Sequence, residues 1–185
     1  MAGRLCPWWL GYFIANPVRR LWQDPGVILG PFISEGMRVL EPGCGMGFFT
    51  IEIARLVGPR GKVVAVDLQP KMVAGLKRRA RRAAVDNRID ARLASETLLN
   101  VDDLAGTIDF ALAFALVHEL PDPRGFFGEM HRALRRGRKI LLAEPNGHVT
   151  EAQFAATVES AKSAGFRLVD RPVIRWSRTA VFDRA

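Results

Sequence analysis

Val39-Leu40-Glu41-Pro42-Gly43-Cys44-Gly45-Met46-Gly47 is the stretch whose reading decides the fold. An apolar run, Met37–Glu41, ends on an acid and has the look of a strand bounded by Gly and Pro. Glycines then alternate at 43, 45 and 47. They let the backbone turn tightly and let a ligand approach the main chain with no Cβ in the way. Beyond them Phe49, Ile53 and Leu56/Val57 recur at helical spacing. Gly58-Pro59 closes that helix, as Gly past a helix end followed by Pro does. The stretch is therefore strand, glycine turn and helix in succession.

The same alternation continues outward. Lys62–Asp67 reads as a second strand. Pro70 opens a helix to Ala84, with Met72, Leu76 and Ala80 on its apolar stripe. Ile89–Ala94, Ile108–Ala115 and Lys139–Glu144 read as further strands. Asp122–Arg136 and Thr150–Ala164 read as helices, with His131 on the surface of the first. Phe166–Val173 and Ile174–Phe182 read as two closing strands, arranged as a hairpin. Before the regular pattern, residues 1–34 form an arm rich in Trp and broken by prolines, with helical pieces near 17–23 and 25–33. Residues 35–185 form the main body, and the length of 185 residues fits a single domain. Strands alternating with helices of ten to fifteen residues predict an α/β fold: a doubly wound, mostly parallel sheet with helices on both faces.

In such sheets ligands bind beyond the carboxyl ends of the strands. Asp67 ends the second strand twenty residues after Gly47, where a carboxylate can accept hydrogen bonds from ribose hydroxyls. Together the loop and the acid indicate an adenosine-type cofactor. The dinucleotide fingerprint wants a third glycine where Phe48 stands. Glu41, facing the loop, opposes a pyrophosphate and suits a cationic amino group. NAD and FAD are thereby disfavoured. A P-loop is excluded, because no Lys-Ser/Thr pair ends the loop.

Glu41–Gly47 with Asp67 closely resembles motif I and the following acidic position of class I S-adenosylmethionine-dependent methyltransferases. Ala113–Asp122 resembles the stretch after the fourth strand in their small-molecule, ubiquinone/menaquinone-like subgroup. Ala133–Leu141 and Glu144–Val149 resemble the segments that follow, so the resemblance covers about residues 35–182. It implies a Rossmann-like seven-stranded sheet whose last strand is antiparallel. It implies that the backbone of Gly43, Cys44, Gly45 and Gly47 cradles the methionine part of S-adenosylmethionine, with S-adenosylhomocysteine as product. Glu41 would meet the ammonium, Asp67 the ribose and Leu68 the adenine. Ser95 stands where the family often has an Asp for the adenine amino group, and Phe114 approaches the sulfonium side.

The sulfonium is an activated donor, so the protein mainly aligns and excludes water. A base is needed only if the acceptor loses a proton. His118, Glu119, Glu144 and His148, all expected at the carboxyl end of the sheet, are the candidates; loop anchoring is the competing role for both histidines. Trp8, Trp9 and Phe13 in the arm suggest a lid over an apolar acceptor, with core packing the alternative. Cys44 reads as a small residue in a tight turn.

Composition bounds the rest. Apolar residues make up 49% and charged residues 25%, a globular balance. Two cysteines, Cys6 and Cys44, cannot build a disulfide framework or an all-cysteine zinc site, so no metal is expected and a reducing, cytoplasmic setting fits. Arg4 and the apolar residues after it imitate a signal peptide, but Pro7 and Gly11 interrupt them. No run approaches the ~20 residues of a membrane span. The net charge of +8, with 22 of 27 basic residues Arg, raises a nucleic-acid methyltransferase as a rival. Phe114-Ala115-Leu116-Val117 lacks the Asn/Asp-Pro-Pro-aromatic motif of base-modifying enzymes, and the basic runs at 71–82 and 132–139 read as solvated helix faces. A small-molecule acceptor is the favoured partner; a non-catalytic cofactor-binding protein is the other rival.

Overall fold

The structure is a computed structural model that describes residues 17–95 and 97–185. Trp8, Trp9, Phe13 and Cys6 lie outside the described residues. The chain divides into two compact units at residue 96.

In the first unit a 3-10 turn, Pro17–Leu21, precedes α1, Pro25–Leu29. Pro25 sits in the first turn of α1, and Asp24 caps it by accepting from Gly26 N at 2.7 Å. Then come β1 (Arg38–Pro42), α2 (Thr50–Leu56), β2 (Lys62–Asp67), α3 (Pro70–Arg82) and β3 (Ile89–Leu93). The strands pair in parallel in the order β3-β2-β1, with Pro42 opposite Val66 and Asp67 opposite Leu93. This register sets the acid-bearing ends of β1 and β2 on one edge. Val63 to Val66 have no exposed surface, as expected of a parallel strand covered on both faces. α3 buries Met72, Val73, Gly75, Leu76 and Ala80 and leaves Lys77, Arg78, Arg81 and Arg82 in water.

The second unit holds β4 (Ile108–Phe114), α4 (Pro123–Ala133), β5 (Leu134–Pro145), α5 (Glu151–Ser163), β6 (Phe166–Asp170) and β7 (Ser177–Arg184). Its strand order is β4-β5-β7-β6; β4 and β5 are parallel, and β7 runs antiparallel to both its neighbours. The seven strands and flanking helices have the expected Rossmann-like architecture, antiparallel last strand included. Phe127 packs against Phe166 and Phe182, with ring centroids 6.1 and 6.3 Å apart. A capping box of Thr150 and Gln153 starts α5.

Several boundaries differ from expectation. The helix expected at 122–136 ends at Ala133, because Leu134 turns to extended backbone and begins β5. The β4–β5 ladder pairs Ile108 with Leu134, then resumes at Phe110 with Lys139. The extra residues between include Gly137 at φ +72°. Four consecutive residues, Arg135–Arg138, are thus exposed strand rather than a helical face. The pieces at 17–23 and 25–33 shrink to one 3-10 turn and one short helix. The final hairpin pairs later than expected, since Pro172 has no N–H for a ladder and Trp176 turns the chain at φ +60°. His131 is not a bare surface residue: it rests edge-on against Phe166 at 5.2 Å.

Candidate functional site

The glycine loop is held from within. Cys44 packs among Ala65 and Leu76. Met46 packs on Met72 and lies against Gly75, where an added Cβ would come within 2.9 Å of its Cγ. Cys44 N donates to Val66 O at 3.1 Å and Gly47 N to Cys44 O at 2.9 Å. Arg79 of α3 donates to Met46 O at 2.9 Å. With its side chains turned inward, the loop offers backbone outward. Gly45 has φ +53° and open space where a Cβ would point, while a Cβ on Gly47, at φ +83°, would strike Leu76 Cδ1. Burial and the neighbouring carboxylates of Glu41 and Asp67 push the Cys44 thiol well above its ordinary range. A thiol so placed is a packing group, not a nucleophile.

Glu41, at the end of β1, is 4% exposed, and its Oε2 has no hydrogen-bond partner among the described residues. Burial pushes its carboxyl up to about 8, the nearby Thr50 hydroxyl partly offsets this, and the charge of Asp67 adds to it. An orphaned buried carboxylate is costly unless a donor or cation meets it. Asp67 accepts from Gly45 N at 2.8 Å through one oxygen and from Gln69 N at 2.9 Å through the other. Burial raises its carboxyl, against the pull of these N–H groups. A carboxylate has about four acceptor positions, so two bonds leave room for ribose hydroxyls. Leu68 is half-buried beside it, and Ser95 is exposed past the end of β3. A cationic ammonium, a backbone-cradled chain and a ribose are therefore what Glu41, the loop and Asp67 fit. A pyrophosphate would meet the Glu41 carboxylate instead.

A second cluster lies in the other unit. β4 ends at Phe114, Ala115 takes φ +53°, and the 3-10 turn Val117–Glu119 follows. A non-glycine residue in the left-handed region costs about 1 kcal/mol or more, and such residues gather at functional sites. Glu144, at the end of β5, is wholly buried. Its Oε1 accepts from Val117 N at 2.7 Å, and its Oε2 is hydrogen-bonded to His118 Nδ1. That bond raises the His118 pKa, desolvation works against it, and the charges of Glu144 and Glu119 add to it. The His148 ring stands edge-on to that of His118 at 6.1 Å. Of the four candidate bases, Glu144 thus has both oxygens committed, His118 keeps Nε2 for other work, and Glu119 sits beside it, half-buried.

Sequence reasoning missed Thr50 and Arg79. Thr50 is a fully buried polar side chain at the start of α2, and a hydroxyl three residues after the glycine loop was a usable signal. Arg79 looked like any other base on α3; its bond to Met46 O is formed 33 residues away and left no local trace.

This fold, with a glycine loop between two acidic strand ends, defines the class I S-adenosylmethionine-dependent methyltransferase architecture. Residues 33–173 match the family model described as a methyltransferase domain, and the chain belongs to that family. The chain is 32% identical over 151 residues to the ubiquinone biosynthesis O-methyltransferase of Xanthomonas oryzae pv. oryzae, covering 80% of this chain and 56% of that one. It is 27% identical over 112 residues to the arsenite methyltransferase of Halobacterium salinarum, covering 60% and 28%. The chain thus spans about half the length, or less, of these curated relatives. Among solved structures, a SAM-dependent methyltransferase from Aquifex aeolicus superposes with a TM-score of 0.86 at 23% identity, covering 97% of this chain and all of that one. At that identity the likeness speaks to the fold.

Proposed function

We propose that the protein transfers a methyl group from S-adenosylmethionine to an oxygen of a small, fairly apolar acceptor. The observation that carries the cofactor half is the buried Glu41 Oε2, without a hydrogen-bond partner among the described residues, at the head of an open glycine loop. Glu41 would take the ammonium, the Gly43–Gly47 backbone the methionine chain, Asp67 the ribose and Leu68 the adenine, while Ser95 and Phe114 complete the surroundings. The cofactor supplies a methyl group already activated by its positive sulfur. The acceptor half rests on the His118–Glu144 pair and on the likeness to ubiquinone biosynthesis O-methyltransferases. Glu144 holds Nδ1, so the Nε2 of His118 would be the group to take the proton from the acceptor's hydroxyl. Glu119 and His148 tune or bound that imidazole.

Cytoplasmic residence belongs to the same reading; among the described residues no helix is long and apolar enough to cross a membrane. Calorimetry with S-adenosylmethionine against NAD tests the cofactor assignment. Binding of S-adenosylmethionine alone is expected, and tight NAD binding in its place would sink the proposal. Labelled methyl transfer into a metabolite extract then names the acceptor. Label recovered in RNA, with none in small molecules, would overturn the acceptor class.

A further inference from the structure

A surface pocket of about 390 Å³ in the first unit lies between the 3-10 turn, α2 and α3. Phe48 and Ile51 line part of it, and Arg20, Arg55, Arg79 and Arg82 supply its charge. Arg20 and Arg55 both pair with one carboxylate, Glu52, the second at 3.0 Å. Arg79 donates to Met46 O at 2.9 Å. Arg82 is exposed and has no hydrogen-bond or ion-pair partner among the described residues. Three guanidinium groups, those of Arg20, Arg55 and Arg82, therefore have Glu52 as their one carboxylate among the described residues. The crowding has a physical signature: burial and the charge of Arg20 together lower the Arg79 pKa. Arg19 stands next to Arg20 with its guanidinium over the Phe48 ring at 4.4 Å, and burial pushes it down to about 10. Residues 1–16 contain no Asp or Glu, so the preceding segment brings no carboxylate to neutralise the cluster.

Like charges held together at a concave surface are stabilised by an anion from outside. Guanidinium groups match phosphate oxygens in two-point contacts. The volume falls in the ~300–1,000 Å³ range of small-ligand pockets, whereas a nucleic-acid backbone needs an extended track. We propose that this pocket is an anion site for a small ligand carrying two or more phosphate groups. It is separate from the cofactor cradle and does not depend on the methyltransferase reading. Arg79 links the two places physically, since one of its N–H groups also holds the glycine loop.

The test titrates the full chain with pyrophosphate and tripolyphosphate by calorimetry, at constant ionic strength. Saturable binding of tripolyphosphate is expected, tighter than that of inorganic phosphate. Arg82→Gln and Arg55→Gln should each weaken it at least fivefold, while Arg136→Gln, an exposed arginine of β5, should leave it unchanged. S-adenosylmethionine affinity should be the same in Arg82→Gln as in the parent, which separates this site from the cofactor assignment. The idea is overturned if no saturable binding occurs, or if Arg136→Gln weakens it as much as Arg82→Gln. It is also overturned if a single-stranded RNA oligonucleotide binds more tightly than tripolyphosphate.

Discussion

Two buried glutamates end two strands, and they are opposites. Glu144, at the end of β5, spends both oxygens inside the protein, on Val117 N and His118. Glu41, at the end of β1, leaves an oxygen with no partner among the described residues and holds its proton up to about pH 8. The first carboxylate is a finished part of the scaffold, and its work is to orient an imidazole. The second has an acceptor left open, which is why it carries the proposed ammonium contact. Burial alone does not say what an acid does; the state of its acceptor positions does.

The strongest way to break this contrast is at His118. His118→Gln should lower turnover of the identified acceptor by about 100-fold, the lower range for a lost general base, with cofactor affinity unchanged. A loss confined to KM would make His118 an anchor. Next, Glu41→Gln should weaken S-adenosylmethionine about 30-fold, the scale of one charge-assisted hydrogen bond, as read by calorimetry. Binding to the parent below pH 8 should release a proton, because the ammonium favours the ionised carboxylate. Buffers of different ionisation heat will show that release, and the variant should lose it.

The contrast sharpens at Glu144. The His118 pKa is raised in the folded protein, so its contribution to stability is full below its ordinary pKa of ~6.5 and is lost as pH rises through the folded value. Glu144→Gln removes the cause. The imidazole should then titrate lower by NMR, and the acid limb of the rate profile should move down with it. An unmoved titration would deny the pairing. The smallest effect has the reverse sign. Because the Glu41 pKa is raised, the free protein loses stability as pH climbs from the ordinary carboxyl range through about 8. Glu41→Gln should therefore raise the ligand-free Tm at pH 9, by about 4 °C for ~1 kcal/mol or more at this chain length. A drop in Tm would mean that the carboxylate is structural.

The glycine loop and β2 were legible because their signals are local. Lys62–Asp67 is flanked by Gly61 and by the Pro70 helix start, and it appears in the structure at the expected residues. The place of Glu41 at a strand end before the loop was legible, though the lack of a partner for its Oε2 among the described residues was not. Arg135–Arg138 misled, because polar residues continuing a helix and polar residues on an exposed strand look alike without a partner strand to set the period. The pairing of Glu144 with Val117 N and His118 spans 26 and 27 residues, and no pattern along the chain announces a contact of that range. Only the meeting of two strand ends produces it.

The threading of the last hairpin has a consequence for the order of assembly. β6 precedes β7 in the chain but lies outside it in the sheet, and β7 is the strand it pairs with. When β6 has been made, the strand it pairs with has not, so its ladder hydrogen bonds wait for Ser177–Arg184. β6 reaches the rest of the sheet through β7, and a change that unseats β7 from β5 therefore detaches both strands.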